Sequence, residues 1–205
     1  MRIGIIGAGV MGMALARLFR RSGHELVMGS RRNLLSENGF RFGPYADAVR
    51  FGQVVVLATL WEGTQAAIAQ CGPLRNRILI DATNPEDESG RNVLRAEGIS
   101  GAEQIALWAE GARVVKAFNH IYAEVLDSGP SLDGRTASAF HCADDRGAKA
   151  AAAELIAGAG FDPVDAGPLA SAHALEALAA LMVELVRRQG HGPGDVALRL
   201  LRRTS

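Results

Sequence analysis

The stretch MRIGIIGAGVMGMALARLFRRSGHELVMGSRR, residues 1–32, decides the fold of this chain. Its apolar run at residues 3–6 predicts a strand, and the glycines that follow predict a tight turn. Residues 13–19 then predict a helix, and the apolar run at residues 25–28 predicts a second strand. This order of strand, turn, helix and strand is the context in which G-x-G-x-x-G indicates dinucleotide binding.

The three glycines of the turn have separate predicted tasks. Gly7 permits the tight turn that leaves the strand, and Gly9 removes a side chain where the backbone approaches a pyrophosphate. Gly12 lets the helix pack closely on the sheet, and the positive end of the helix dipole favours the bound anion. The predicted cofactor-binding residues of this loop are Gly7, Ala8, Gly9, Val10, Met11 and Gly12.

The end of the second predicted strand indicates which dinucleotide is bound. An NAD-specific site places Asp or Glu there, about 20 residues on, to hold the ribose 2′-hydroxyl. This chain has Ser30, Arg31 and Arg32 at that place. A hydroxyl and guanidinium groups bind the 2′-phosphate that a carboxylate would repel, so these residues predict NADP(H) as the cofactor. The alternative is that the two arginines are a solvated loop pair.

Charge and composition argue against several classes of protein. The 205 residues include 22 basic and 22 acidic side chains, a net charge of zero, which disfavours nucleic acid or a membrane surface as a partner. No apolar run reaches the roughly 18 residues of a membrane span, and we expect no signal peptide because the apolar run of the first strand follows Met1 and Arg2 directly. Cys71 and Cys142 lack metal-ligand spacing, so we expect reduced thiols, no metal site and a cytoplasmic location.

Strand and helix patterns alternate along the chain as far as residue 118. This alternation predicts an α/β fold with a Rossmann-type, doubly wound parallel sheet. We expect residues 1–118 to form the NADP(H)-binding domain and residues 119–205 to form a small C-terminal α/β or helical subdomain that closes the substrate cleft. A dimerisation element is the alternative for this tail. Two further expectations are a short helix or turn at residues 33–39 and a helix at residues 193–203. A longer helix is predicted by the apolar stripe Leu175, Leu178, Ala179, Met182, Leu185 and Val186.

Three loops follow predicted strands at the edge where ligands of an open α/β sheet bind. Thr59 and Asn84 are expected to hydrogen-bond the ribose or the nicotinamide amide, while Asn119 and His120 are expected to face the second substrate. Helix capping or turn chemistry is the alternative for the Thr and Asn residues. His120 is a candidate proton donor, or else a stacking surface or a plain polar residue. The predicted cofactor-binding residues of these loops are Ala58, Thr59, Leu60, Asn84, Ala117 and Asn119.

Eight motifs along the chain share the pattern of one known family: GAGVMG (7–12), GSRR (29–32), DATNP (81–85), VVKAFN (114–119), CADD (142–145), GFD (160–162), VDAGPL (164–169) and AHALE (172–176). On these motifs, the chain resembles the NADPH-dependent reductases of coenzyme F420, a 5-deazaflavin, whose domain also occurs in the cytosolic part of membrane ferric reductases. The resemblance covers nearly the whole chain, and the KAFN and DAGPL sequences are its most specific parts.

The resemblance implies a Rossmann domain that binds NADP(H) and a C-terminal part that helps to enclose a cleft, where the deazaflavin stacks on the nicotinamide. Hydride would then pass directly between the two rings, which depends on positioning more than on acid–base residues. This chain has Leu60 where the family often has proline, and His120 where Thr or Ser is usual. Both departures lie at the cleft, so they bear on the identity of the second substrate.

The leading hypothesis is an NADP(H)-dependent oxidoreductase, expected as a homodimer, that exchanges hydride with coenzyme F420 or a flavin-like acceptor. One alternative is an NADP-dependent dehydrogenase or reductase of a small carbonyl or imine compound, for which His120 is the candidate proton donor. Another alternative is a non-catalytic NADPH-binding sensor.

Overall fold

A computed structural model describes residues 1–31, 36–37, 39–87 and 98–203 of the chain. Its strands are β1 (Arg2–Ile6), β2 (Glu25–Gly29), β3 (Ser36–Glu37), β4 (Phe40–Gly43), β5 (Val54–Leu57), β6 (Ile78–Asp81), β7 (Arg113–Ala117), β8 (Ser131–Leu132), β9 (Arg135–Thr136), β10 (Ser138–Ala143) and β11 (Asp162–Asp165). Its helices are α1 (Val10–Arg21), α2 (Tyr45–Phe51), α3 (Trp61–Ala69), α4 (Gly101–Trp108), α5 (Ala123–Ser128), α6 (Arg146–Gly158) and α7 (Ala172–Gln189).

Nine of these strands form one sheet in the order β11-β10-β7-β6-β5-β1-β2-β4-β3. The neighbouring strands β7, β6, β5, β1, β2 and β4 run parallel to one another. Among them, β1 pairs with β2 on one side and with β5 on the other. The chain direction across the sheet therefore reverses at β1, which is the switch point where an open α/β sheet binds its ligand. The predicted Rossmann-type, doubly wound fold is confirmed.

The C-terminal part adds strands to the same sheet. β10 pairs antiparallel with β7, so that His141 lies opposite Ala117, and β11 pairs parallel with β10. The α/β extension expected after residue 118 is thus continuous with the nucleotide-binding sheet. The division into domains at residue 118 stays a prediction.

Two apolar layers hold the helices against the sheet. Ile3 and Ile5 face a cluster that includes α1, α5 and α6, whereas Ile6 faces the cluster with α2, α3, α4 and α7. Side chains alternate between the faces of a strand, so β1 supplies both layers from neighbouring positions. Helices on both faces explain why the parallel strands read as nearly continuous apolar runs in the sequence.

The long helix predicted from the apolar stripe is confirmed as α7, although Leu178, Leu185 and Val186 of that stripe are only half-buried. Leu175, Ala179 and Met182 are buried against the rest of the protein. With the 3₁₀ turn before it, this segment (Leu169–Gln189) is the one helix in the described part of the chain that is long and apolar enough to cross a membrane. Length and composition alone are weak evidence for a span, since a helix that packs on a core passes the same test.

The helix predicted at residues 193–203 is wrong. A 3₁₀ turn occupies Pro193–Asp195, and residues 196–203 have no regular structure. The Ser138 N–H donates to the Leu198 carbonyl at 2.8 Å, and the Leu200 N–H donates to Ser138 Oγ at 3.0 Å. In a helix, these backbone groups would pair within the segment, but here they form hydrogen bonds to β10. Gly192 and Gly194 also disfavour a helix at this place.

The short helix or turn predicted at residues 33–39 is replaced, where the chain is described, by β3. Ser36 and Glu37 pair antiparallel with β4. Residues 33–35 and 38 lie outside the described residues.

Candidate cofactor-binding site

The turn between β1 and α1 is built around two close backbone approaches. Gly7 has φ +111°, and a Cβ there would lie 2.4 Å from the Ala58 carbonyl oxygen. A Cβ on Gly12 would lie 2.1 Å from the Gly7 carbonyl oxygen. Both distances are far inside van der Waals contact, so these two glycines are needed for the turn and for the seating of α1 on the sheet, as the spacing predicts.

Gly9 differs from its two neighbours because nothing lies within 4 Å of the place where its Cβ would be. It caps the N-terminus of α1 without a side-chain hydrogen bond, and the first turn of that helix has no acidic residue. A helix N-terminus of this kind favours an anion, and the missing side chain leaves room for it. The geometry of Gly9 therefore fits a bound pyrophosphate. The next residue, Val10, is 75% exposed, and Leu60, in the loop after β5, is 78% exposed.

The end of β2 presents the residues expected at the 2′-phosphate. The Ser30 N–H donates to the Gly43 carbonyl at 2.9 Å, which fixes the chain as it leaves the strand. Arg31 is exposed to solvent at this end. Arg32 lies outside the described residues. Recognition of the 2′-phosphate by these three residues stays a prediction.

Thr59 is held at the end of β5 by a short chain of hydroxyl groups. Thr64 Oγ1 donates to the Leu60 carbonyl at 3.0 Å and lies 2.8 Å from Thr59 Oγ1. Because a hydroxyl has one hydrogen, Thr59 is the donor to Thr64 and keeps acceptor capacity of its own. This orientation suits a hydrogen bond from a ribose hydroxyl, which is the role predicted for Thr59.

Asn84 and Asn119, from the loops after β6 and β7, form a reciprocal amide pair. Asn84 Nδ2 donates to the Asn119 backbone carbonyl, and Asn119 Nδ2 donates to Asn84 Oδ1, both at 2.9 Å. Asn119 Nδ2 also donates to the Leu175 carbonyl of α7 at 2.9 Å. The structure thus brings together two predicted site residues that are 35 positions apart, and it places the C-terminal helix against one of them.

The residue before Asn119 is held in an unusual backbone conformation. Phe118 is fully buried with φ 66°, and its ring packs edge-to-face on Phe19 of α1 with the centroids 5.7 Å apart. A left-handed conformation at a bulky residue is strained and is found where the surroundings impose it. It redirects the chain immediately after Ala117, the last residue of β7, and so sets where Asn119 lies.

A buried network of three charged residues underlies the amide pair. Lys116 Nζ lies 2.9 Å from Asp81 Oδ2 and 3.0 Å from Glu176 Oε1, and it donates to the Thr83 carbonyl at 2.7 Å. Both Lys116 and Asp81 are fully buried. Burial alone would lower the pKa of Lys116, but the two carboxylates outweigh that effect and raise it. Lys116 is therefore a structural cation rather than a proton donor.

Glu176 connects this network to α4. Its Oε2 accepts from the Gly101 N–H at 3.1 Å, and its Oε1 accepts from the Ala102 N–H at 3.3 Å. The first turn of α4 therefore shares the second carboxylate with Lys116, which offsets the excess negative charge of the network.

His120 is buried beside Phe140 of β10. Its Nε2 accepts from the Phe140 N–H at 3.4 Å, and the two rings pack edge-to-face with the centroids 5.4 Å apart. Burial lowers the pKa of His120 to about 4, against a smaller raising effect of the Ser138 backbone. The ring is therefore neutral at pH 7 and poorly suited to donate a proton. The catalytic role of His120 stays a prediction, and its surroundings favour a packing role.

The charged network was not predicted from the sequence, although signals for it exist. Lys116 interrupts a buried strand, and Glu176 occupies a core position of the α7 stripe between Leu175 and Ala179. Lysine and glutamate are almost never fully buried unless paired, so each position predicts a partner of opposite charge. The described residues contain no group of three or more His, Cys, Asp or Glu side chains that could hold a metal ion.

Comparison with known proteins shows the family of the chain. The model of the family described as coenzyme F420-dependent NADP oxidoreductase matches residues 2–85, which include the β1–α1 turn, Ser30 and Asn84. The F420-dependent NADP reductase of Methanothermobacter thermautotrophicus is 30% identical over 90% of this chain and 89% of its own length.

Two further similarities cover the chain almost completely. The metalloreductase STEAP3 of Rattus norvegicus is 32% identical over 86% of this chain, which spans only 36% of that longer protein. The crystal structure of a candidate F420-dependent NADP reductase from Arthrobacter sp. FB24 superposes with a TM-score of 0.86 at 27% identity, over 98% of this chain and all of that one. These are the two classes of protein that the motifs indicated.

The predictions of an NADP(H) cofactor and of an oxidoreductase are confirmed at the level of the family. The chain belongs to the family of coenzyme F420-dependent NADP oxidoreductases.

Proposed function

We propose that this protein transfers hydride between C4 of the nicotinamide of NADP(H) and the 5-deazaflavin ring of coenzyme F420. The observation that carries the proposal is the similarity to an F420-dependent NADP reductase over nine-tenths of both chains. Such coverage includes the part after residue 118, where the second substrate is expected, as well as the nucleotide-binding turn.

The order of the strands supports one placement of the cofactor. The open N-terminus of α1, next to Gly9, lies above the centre of the sheet and suits the pyrophosphate. Ser30 and Arg31 follow β2 on one side of β1, whereas Thr59, Asn84 and Asn119 follow β5, β6 and β7 on the other. The adenosine half with its 2′-phosphate would lie over β2, and the nicotinamide half would lie over the loops after β5, β6 and β7.

The chemistry of these loops also favours hydride transfer to a deazaflavin. Hydride leaves nicotinamide C4 for a ring carbon of the acceptor, and a ring nitrogen of the acceptor takes one proton from solvent, so no acid is required of the protein. Lys116 is buried and paired, and His120 has a pKa of about 4. A carbonyl or imine reductase would need a proton donor at this place.

The departures from the family at Leu60 and His120 concern which acceptor is used. Leu60 is exposed where the cofactor would lie, and His120 takes the place of a smaller residue. A flavin-like acceptor is therefore the variant of this proposal to test beside coenzyme F420. The homodimer, the cytoplasmic location and the lack of nucleic acid or membrane partners stay predictions, as does a C-terminal subdomain at residues 119–205 that closes the cleft.

A spectrophotometric panel tests the proposed function. NADPH and NADH would each be offered with coenzyme F420, FMN, FAD, ferric chelates and a set of cyclic imines and ketones. We expect NADPH-dependent reduction of coenzyme F420 faster than of any other acceptor. Tight NADPH binding without oxidation by any acceptor would favour a sensor, and turnover confined to imines or ketones would favour the alternative reductase.

A further inference from the structure

We propose that Glu176 of α7 is a positioning residue that holds the Asn84–Asn119 amide pair in place for the nicotinamide end of the cofactor. This inference rests on the proposed function for the location of that end. Glu176 itself is buried, with a side chain engaged by Lys116 and by the first turn of α4. It therefore acts through other residues and does not touch the ligand.

The first step runs from Glu176 to the loop after β6. Glu176 and Asp81 hold Lys116 Nζ from two sides, and the same ammonium donates to the Thr83 carbonyl. Thr83 is tied again to Asp81, since its N–H and its hydroxyl both donate to Asp81 Oδ1, at 2.8 Å and 2.7 Å. The backbone immediately before Asn84 is thus fixed from both sides by the charged network.

The second step runs from the same turn of α7 to the loop after β7. The Leu175 carbonyl, next to Glu176, accepts from Asn119 Nδ2 at 2.9 Å. Because Glu176 secures this turn of α7 to the sheet and to α4, it also secures the acceptor that orients Asn119. One turn of the C-terminal helix therefore controls both members of the amide pair.

The orientation of the amides follows from the backbone carbonyls. The backbone carbonyl of Asn119 can only accept, so the Asn84 side chain turns Nδ2 towards it. Asn84 Oδ1 then faces the Asn119 side chain and can only accept, so Asn119 turns its own Nδ2 towards Asn84. The Leu175 carbonyl requires the same orientation. This arrangement leaves Asn119 Oδ1 buried and without a hydrogen-bond partner in the described part of the chain.

A buried acceptor that has no partner in the described part of the chain calls for a donor, which a bound ligand can supply. The cofactor half proposed for this side of the sheet carries such a donor, the N–H₂ of the nicotinamide carboxamide. The clamp formed by Glu176, Lys116 and Leu175 would keep Asn119 Oδ1 available for it. Loss of the clamp would allow the amide to rotate and satisfy itself within the protein.

The test compares binding of the whole cofactor with binding of its adenosine half. In Glu176→Gln, which keeps the side-chain shape but removes the charge beside Lys116, NADPH binding should weaken roughly 2- to 12-fold, the equivalent of one hydrogen bond. Binding of 2′,5′-ADP, measured by the same calorimetric titration, should not change. The matched control is Glu184→Gln, the same change at an exposed position of α7, and neither ligand should respond to it.

Two further variants keep the proposal testable if Glu176→Gln does not fold. Glu176→Asp keeps the charge but shortens the side chain, and it should show a smaller loss confined to NADPH. In Asn119→Ala the contact proposed for the carboxamide is already lost, so adding Glu176→Gln or Glu176→Asp should weaken NADPH binding no further.

Equal losses for NADPH and 2′,5′-ADP, no loss for either ligand, or additive losses in the double variant would each overturn the positioning role. Failure to reduce coenzyme F420 would refute the proposed function and leave these binding measurements intact.

Discussion

Replacing His120 by glutamine should remove part of the acid sensitivity of the folded protein. The imidazole has a pKa of about 4 in the folded chain, because of burial, against about 6.5 when solvated. The unfolded chain therefore binds the proton more readily between these values. The neutral His120 therefore contributes its full stability above pH 6.5, and this contribution is lost as the pH falls from 6.5 towards the folded pKa of about 4.

The size of the effect follows from the two pKa values. Between pH 7.5 and pH 5, protonation of His120 in the unfolded chain should cost the native state about 2 kcal/mol. Glutamine does not titrate and can still accept from the Phe140 N–H. The free energy of unfolding of His120→Gln should therefore fall less steeply than that of the wild type over this range, by about 2 kcal/mol.

Urea unfolding at a series of pH values, followed by tryptophan fluorescence and circular dichroism, measures this difference. His24 and His141 also have lowered pKa values because of burial, but they are common to both proteins and cancel. The control is His191→Gln, a change at an exposed histidine, which should keep the wild-type slope. If the free energy of unfolding of wild type and of His120→Gln fell in parallel with decreasing pH, the argument that His120 is buried and neutral would be refuted.

The same variant should retain turnover. Loss of turnover with every acceptor, while NADPH still bound, would instead support His120 as a proton donor.

Four other predictions concern the cofactor half and the buried network. Arg31→Ala should weaken NADPH binding roughly 10- to 150-fold, since a hydrogen bond to a charged group is worth about 1.5–3 kcal/mol, while NADH binding barely changes. Gly9→Ala should leave the free energy of unfolding within about 0.5 kcal/mol of wild type but weaken NADPH binding at least about tenfold, because its Cβ meets only the space kept for the pyrophosphate. Gly12→Ala should instead destabilise the fold by about 1–3 kcal/mol, because its Cβ meets the Gly7 carbonyl oxygen at 2.1 Å. Lys116→Met should lower the free energy of unfolding by about 3–5 kcal/mol, because it leaves two buried carboxylates without their cation.

Isothermal titration and urea unfolding check these predictions. Arg75→Ala, at an exposed ion pair with Glu110 far from the end of β2, is the control for Arg31. Equal losses of NADPH and NADH binding in Arg31→Ala would remove the argument for the 2′-phosphate. A destabilised Gly9→Ala, or a Lys116→Met variant as stable as wild type, would contradict the geometry described for those positions.

The cofactor half was predictable from the sequence because its signals are local. The strand, turn and helix of residues 1–32 follow from periodicity and from the spacing of three glycines within six positions, although the contact that requires glycine at position 7 is with Ala58, far along the chain. The long helix α7 was predictable for the same reason, since its stripe repeats within single turns.

Features that depend on distant partners were missed. The helix predicted at residues 193–203 does not form, because backbone groups of this segment make hydrogen bonds with Ser138, some 60 positions earlier in the chain. The placement of Glu176 beside Lys116 likewise depends on how α7 crosses the sheet, which no local pattern specifies. Charged residues at core positions were the readable sign that such partners exist.

The most direct test of the central claim follows the transferred hydride itself. NADPH deuterated at C4, on the transferred face, would be mixed with the protein and coenzyme F420, and the reduced deazaflavin would be analysed by mass spectrometry and NMR. Direct transfer predicts that the deuterium is retained on the reduced deazaflavin ring, with little transfer from NADH under the same conditions. Deuterium lost to solvent, equal transfer from NADH, or no reduced deazaflavin at all would contradict the account.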